Sequence, residues 1–497
     1  MRLNARQLLP ISALLAASAI IACDQAAPVA PASRPLFAAD RIGNLFPFAD
    51  PSGTVATFSS NGSLDTGNPF FQSLGTNGRS CGTCHLAGDA WSLSAAEAQA
   101  RFASSGGTDP LFAAFDGANC PNAVPGDGAA AHSLLLGNGL IRIPLQVPAS
   151  AQFTIEAIRD PYGCALVVDP QGVATVSLYR RPLPTTNLNF LSAVMFDGRE
   201  TIQPLNNEGT FLANLRTDLT HQAMDATLGH AQAAASPTDA QLSAMVDFEL
   251  ALFTAQSSDD SAGVLNAEGA SGGPKALADQ AFFPGINDPL GGNPRGIAFD
   301  PNVFTIFQPW TDLPNSDNGK YKAARQAVAR GEAVFNTHPL TITAVKGLND
   351  ALGVPAINGT CTTCHDTPDV GNHSLPVPLD IGTSHVREFE ADAQVAAALS
   401  RLSVPDLPQF RLTCTAGPLA GAVMYTSDPA KALLSGRCSD VGRGKGPILR
   451  ALAARAPYFH NGAAATLNEV VNFYNDRFQM GLSNQEMADL VAFLKSL

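Results

Sequence analysis

Charge is scarce in this 497-residue chain: Asp, Glu, Lys and Arg make up 15% of it, against roughly a quarter in ordinary globular proteins. Basic charge is scarcer still, with 30 Lys+Arg against 43 Asp+Glu and a net charge of −13. That balance argues against nucleic acid as a partner, because a phosphate backbone needs Lys and Arg to displace its counterions. No heptad pattern and no fixed-period repeat runs along the sequence, which argues against coiled coils and solenoids. After residue 22 no stretch holds eighteen consecutive apolar residues, so no transmembrane helix is expected there. What is present is a 45% hydrophobic complement, enough for real cores, together with 43 Gly and 36 Pro. That composition points to a loop-rich globular protein of about three domains by length.

Residues 1–22 read as a secretory signal, in which Arg2 and Arg6 precede an apolar stretch from Leu8 to Ala22 that is too short to span a bilayer comfortably. The stretch ends Ile20-Ile21-Ala22-Cys23, which resembles a bacterial lipobox with Cys23 as the diacylated first mature residue. The alternative is an ordinary signal peptide cut among Ala-rich residues 26–32. The expectation is export to the periplasm, with a lipid anchor as the only membrane attachment; Asp24 directly after the Cys hints at the inner membrane. Residues 23–36 then form a flexible Pro/Ala tether.

Eight cysteines follow Cys23, in a compartment that is oxidising. Four of them form Cys81-Gly82-Thr83-Cys84-His85 and Cys361-Thr362-Thr363-Cys364-His365. C-x-x-C-H is the attachment signature of c-type haem: two thiols add to the vinyl groups and the adjoining His ligates iron. Cys and His each number 9 in 497, so about 0.003 accidental matches are expected per chain, and two are negligible. No further Cys/His pairs complete a zinc site. Cys120, Cys164, Cys414 and Cys438 remain, an even number that suggests disulfides. Three connectivities are open, of which Cys120–Cys164 with Cys414–Cys438 is the simplest because each pair stays within one half of the sequence.

The expected fold is mainly α: two cytochrome c-like helical domains, each with a covalent c-type haem, plus a small β-rich insertion in the N-terminal half. The first haem domain spans 37–255, with the insertion at about 136–182, where residues 138–146, 152–157 and 173–180 read as strands. Ser94-x-x-Glu97 caps a short helix, and Ser236-Pro237 opens a longer one through Ala255. Residues 256–318 are rich in Gly, Pro, Asp and Asn and read as a linker or long surface loop. The second domain, 319–497, shows a helical face over Lys320–Asn336 that includes the small residue Gly331. Its last helix opens with the capping box Ser483-x-x-Glu486.

Three further segments, RRPLPTTNLNFLSAVMFDGR at 180–199, RGEAVFN at 330–336 and PYFHN at 457–461, accompany the haem motifs. With them the chain resembles the bacterial di-haem cytochrome c peroxidase and MauG superfamily. The resemblance implies a reactive N-terminal haem and a C-terminal haem that stores and relays electrons, which suits a two-electron reduction served by one-electron donors. It also implies that a residue some way after PYFH ligates the second iron; Tyr474 falls at the position held by Tyr in MauG, and Met480 is the rival, with Met424 further off. Tyr would lower the haem potential. The distal His that the peroxidases carry after the first haem motif has no counterpart, since no His lies between 86 and 131. His230 and Gln222 are the candidate distal residues, His230 as a general acid–base group. Arg199 is expected on a haem propionate. Family members often hold Ca²⁺ between the domains; Asn187 is the candidate ligand, while Arg455 stands where Thr is commoner. The Trp usual before DGR is replaced by Phe196. Trp91 and Phe459 are expected against haem edges, His460 and His373 as hydrogen-bonding groups of the haem pockets, and His132 as structural.

These readings lead to a periplasmic di-haem c-type oxidoreductase, peroxidase-like, in which hydrogen peroxide or dioxygen meets the N-terminal haem. The alternatives are a non-enzymatic di-haem electron-transfer cytochrome and a dioxygenase like the rubber-cleaving members of the superfamily. The implied cofactors are two haem c groups, with Ca²⁺ as the further candidate. A small redox protein or the quinol chain would donate electrons, docking on the acidic surface through basic residues. Homodimers are common in the superfamily.

Overall fold

The computed structural model describes residues 41–123, 128–314 and 319–497; the signal 1–22, Cys23 and the tether 23–36 lie outside the described residues. In the first half, Gly53–Ser59 and Leu252–Asp259 pair antiparallel at the centre of a four-stranded sheet, flanked by Phe48–Asp50 and Gly263–Val264. Buried threonines bind it together, Thr57 and Thr254 at 2.9 Å and Thr186 and Thr254 at 2.8 Å between hydroxyls. This sheet corrects the helix expected from Ser236-Pro237 through Ala255. The helix is Asp239–Leu250, capped by Thr238 with Gln241 reciprocating, and the chain turns to strand at Leu252. The apolar run at its end suits helix or strand equally; the partner strand some 200 residues earlier decides.

The segments 138–146, 152–157 and 173–180 do form strands, Ile141–Gln146, Phe153–Arg159 and Ala174–Arg180. They do not make a self-contained insertion. Ile141–Gln146 pairs with Ala174–Arg180, but Phe153–Arg159 pairs with Gln409–Cys414 in the second half, which in turn pairs with Val423–Thr426. Phe153, Leu178, Phe410 and Leu412 are buried together between these strands. Two disulfides close the region, Cys120–Cys164 and Cys414–Cys438, with Cα atoms 6.0 and 6.1 Å apart. Among the described residues the helices thus share the chain with five small sheets, and β structure is more widely spread than a single insertion.

The Lys322–Thr337 and Asn484–Lys495 helices cross at Gly331. A Cβ there would lie 1.9 Å from the Asp489 carbonyl oxygen, so only glycine permits this approach. Arg330 grips the Asp489 carboxylate with two hydrogen bonds of 2.8 Å. The capping box is formed, with Ser483 N donating to Glu486 Oε2 at 2.8 Å. The stretch 256–318 is more than a linker. Phe304, Phe307 and Trp310 are buried in the core of the second half. Glu332 accepts the Phe307 N–H and Asn336 brackets the Phe304 backbone. Among the described residues no helix is long and apolar enough to cross a membrane.

Candidate functional site

The two C-x-x-C-H segments fold into the same device. Each is a 3-10 turn, Cys81–Thr83 and Cys361–Thr363, opened by a capping box in which Thr83 or Thr363 accepts the N–H of Ser80 or Thr360 at 3.0 Å. The backbone N–H of His85 and of His365 donates to the carbonyl of the first Cys at 3.0 Å, which sets both thiols and the imidazole on one side of the turn. The chain then doubles back through a residue with left-handed backbone, Trp91 (φ 60°) or Val370 (φ 57°). The carbonyl of that residue accepts Nδ1–H of the histidine, at 3.0 Å for His85 and 3.1 Å for His365. This fixes the tautomer: Nε2 keeps its lone pair, the arrangement a metal-ligating histidine needs. Burial lowers both imidazole pKa values to about 4, so both rings are neutral at pH 7. The four thiols are free of disulfides.

Each turn forms a wall of a large, mainly apolar cavity. The first holds Cys81, Cys84 and His85 together with Arg199, Gln222 and His230, so the structure unites residues far apart in sequence. Nδ1 of His230, at the end of the Phe211–Gly229 helix, lies 2.5 Å from Asp116 Oδ2. Asp116 also pairs with Arg79. Burial would raise the Asp116 pKa, but the His230 hydrogen bond and the Arg79 charge outweigh it and hold the carboxyl ionised. Arg199 is already engaged by Asp197, at 3.1 and 3.2 Å. His221 faces away from this cavity and pairs with Glu200 at 2.7 Å.

The second cavity holds Cys361, Cys364, His365, Phe459, Tyr474 and Met480. The two rival ligands thus line one space. Tyr474 sits on the Leu467–Arg477 helix, where burial and the neighbouring thiols raise its phenol pKa. Met480 follows on the turn beyond, its backbone held by Asn475 and by His338 Nε2 at 2.9 Å.

The cavities share a wall. Phe196 and His460 line both and stack at 4.3 Å between centroids, 8° from parallel. Gly444 makes room, since a Cβ there would meet the Phe196 ring at 2.3 Å. Arg180 stands over Phe196 and joins Asp428 (2.7 and 2.9 Å) to Asp197 (2.6 Å). Arg181 and Lys445 also line both cavities. Arg181 donates to carbonyls of Leu93 and Arg455, clasping the two halves, while its Nε has no partner. Lys445 has no carboxylate partner among the described residues, and burial lowers its pKa to about 8.

These features fit haem c: paired thiols, a neutral imidazole with a directed lone pair, apolar walls for the ring, and uncompensated cations for two propionates. Asn187, the calcium candidate, binds the Thr254 backbone through its carboxamide, donating at 2.9 Å and accepting at 2.8 Å. Two sequence expectations are corrected. His373 lines neither cavity and lies 2.9 Å from Asp369. Trp91 packs in an aromatic cluster with Phe70 and Phe248, and it is its carbonyl that serves the site. His132 is structural, with Nδ1 2.8 Å from the Gly117 carbonyl. Sequence reasoning missed Asp116, Arg79, Arg181, Lys445 and Glu249. Glu249 alone carried a signal, an acid inside the apolar run Phe248–Phe253.

Several known proteins resemble the chain. Cytochrome-c peroxidase IdrP1 of Denitromonas iodatirespirans is 44% identical over 69 residues, 12% of this chain and 18% of that protein. Cytochrome-c peroxidase IdrP2 of the same organism is 30% identical over 149 residues, 28% of this chain and 36% of the relative. Its counterpart in Pseudomonas sp. (strain SCT) is 31% identical over 147 residues, 28% and 35%. Among solved structures, a MauG-like protein associated with microbial copper homeostasis aligns over 86% of this chain and 87% of its own, at 15% identity and a TM-score of 0.32. No protein-family profile matches the chain. The alignments with these curated relatives span 18% to 36% of the relatives' length.

Proposed function

We propose that the protein is a periplasmic di-haem c-type oxidoreductase of the cytochrome c peroxidase and MauG kind, anchored through Cys23, that reduces hydrogen peroxide. One observation carries the reading: the C-x-x-C-H device occurs twice, each copy opens on an apolar cavity, and the cavities share a wall. The similarity to proteins named cytochrome-c peroxidase supports it. When bound, haem supplies one-electron redox chemistry and a place for peroxide to meet iron. The chain's own residues do the rest. His85 and His365 would offer Nε2 to iron, and the Cys pairs would bind the group covalently. His230, with Nδ1 on Asp116, offers Nε2 to carry a proton into the first cavity. Gln222 lines the same space and orients what binds there. Tyr474 or Met480 would supply a further ligand in the second cavity. Arg181 and Lys445 would pair with propionates, and the Phe196–His460 stack stands in the wall that the two cavities share.

The test is an EPR and optical spectrum of the purified reduced protein before and after hydrogen peroxide. A peroxide-dependent change at one of two haems supports the reading. Two six-coordinate low-spin haems inert to peroxide would overturn it and leave an electron carrier.

A further inference from the structure

Glu249 is the odd group of the first cavity. It stands in the last turn of the Asp239–Leu250 helix, is 4% exposed, and lines the cavity that holds Cys81. Its Oε2 is buried without a hydrogen-bond partner. A carboxylate in that state pays a heavy desolvation penalty, so with no positive charge beside it the group favours the neutral acid. Burial alone raises its pKa to about 8.

The surrounding charges do not change this. On the neighbouring Phe211–Gly229 helix, Arg216 pairs with Asp247 and His221 with Glu200, each at 2.7 Å, His221 also lies 3.8 Å from Asp225, and His230 at the helix end is on Asp116; buried Asp218 accepts the Ile202 and Gln203 N–H groups and brings no positive charge. The Pro69–Phe71 and Leu188–Phe190 turns that pack on the Glu249 helix carry no ionisable side chain. Across the cavity, Arg79, Arg180 and Arg199 are each on a carboxylate, and burial keeps His85 and His460 neutral. Among the described residues that line this cavity, Arg181 and Lys445 are the cations without a carboxylate ion pair, and they stand at the shared wall.

We propose that Glu249 takes up a proton when the haem of the first cavity takes up an electron, and releases it on reoxidation. The inference rests on the reading that this cavity holds a haem. An external one-electron donor reduces ferric iron to ferrous, and one proton from solvent forms the O–H bond on the Glu249 carboxylate. The net positive charge of the ferric haem favours the carboxylate, and reduction removes that charge while the carboxyl stays desolvated. Peroxide reduction consumes protons as well as electrons, so a carboxyl loaded together with the iron stores part of what the reaction needs.

The experiment is a spectroelectrochemical titration of the haem-loaded protein from pH 6 to about pH 10, for wild type and Glu249→Gln, with haem content checked beforehand. In wild type the midpoint potential of one haem falls by up to about 59 mV per pH unit, the one-electron equivalent of a tenfold change in proton concentration. In Glu249→Gln that slope flattens and the other haem is unchanged. A slope that persists in the variant overturns the inference. As a second measurement that needs no Gln variant, reduced-minus-oxidised infrared spectra of wild type show a gained protonated-carboxyl band, shifted in Glu249→Asp; a spectrum without it also overturns the inference. If peroxide proves inert while the slope and its loss are seen, the functional reading falls and this one stands. Absence of covalent haem defeats both.

Discussion

Arg180 offers a direct measure of how the shared wall is held. Its guanidinium is 5% exposed and is clamped by Asp428 at 2.7 and 2.9 Å and by Asp197 at 2.6 Å. Replacing it with Met keeps the stem's packing over Phe196 and removes the charge. The two carboxylates then fare differently. Asp197 retains Arg199 at 3.1 Å. Asp428 retains the Ala430 N–H at 2.8 Å and, at 3.7 Å, a His460 ring that burial holds neutral, with a pKa of about 4. One buried carboxylate is therefore left uncompensated, which costs about 3–5 kcal/mol. Urea denaturation followed by far-UV circular dichroism should show the loss as a lower midpoint at unchanged slope. Adding Asp428→Asn to Arg180→Met should recover most of it, because a neutral amide needs no counter-charge. A loss below about 1 kcal/mol, or no recovery in the double variant, would refute the electrostatic reasoning and leave Arg180 as a packing residue.

Three further outcomes are expected. Removing either Cys pair, Cys81/Cys84 or Cys361/Cys364, should halve covalent haem by pyridine haemochrome; within the second site, either Tyr474→Phe or Met480→Leu, not both, should alter the low-spin EPR signal. Gly331→Ala should destabilise by about 1–3 kcal/mol despite alanine's helix preference of about 1 kcal/mol, since the new methyl meets the Asp489 carbonyl; thermal melting at or above the wild-type temperature would contradict the crossing geometry. Burial disfavours the His385 cation, but Asp380 and Glu390 outweigh it and lift its pKa to about 9. Its contribution, on the order of 2–3 kcal/mol, is thus full below about pH 6.5 and fades as pH rises through about 9. His385→Gln should flatten that alkaline decline in urea midpoints.

The C-x-x-C-H turns and the helix pair at Gly331 were legible because each is encoded locally, by spacing or a small residue; for the disulfides, parity left three connectivities open, and the structure has the simplest of them. Strand Leu252–Asp259 was misread because an apolar run carries no period of its own, and its partner at Gly53–Ser59 is remote. The 256–318 stretch looked like a loop because its composition is loop-like, while three aromatic residues do the anchoring. His230 and Gln222 came from the resemblance and share a cavity with His85. Asp116, which orients His230, lies among Gly, Ala and Asn with nothing to mark it.

The pairing of Phe153–Arg159 with Gln409–Cys414 governs the order in which this chain is built. Synthesis delivers the first of these strands roughly 250 residues before the second. Through that interval its edge is an unmated template for other chains, and a hairpin with its nearer neighbours cannot take the partner's place. Closing such a distant contact is slow. Yield of folded protein should therefore depend on how well the half-made chain is shielded, and a truncation before residue 409 should aggregate even though it contains a whole C-x-x-C-H turn and every wall residue of the first cavity up to Glu249.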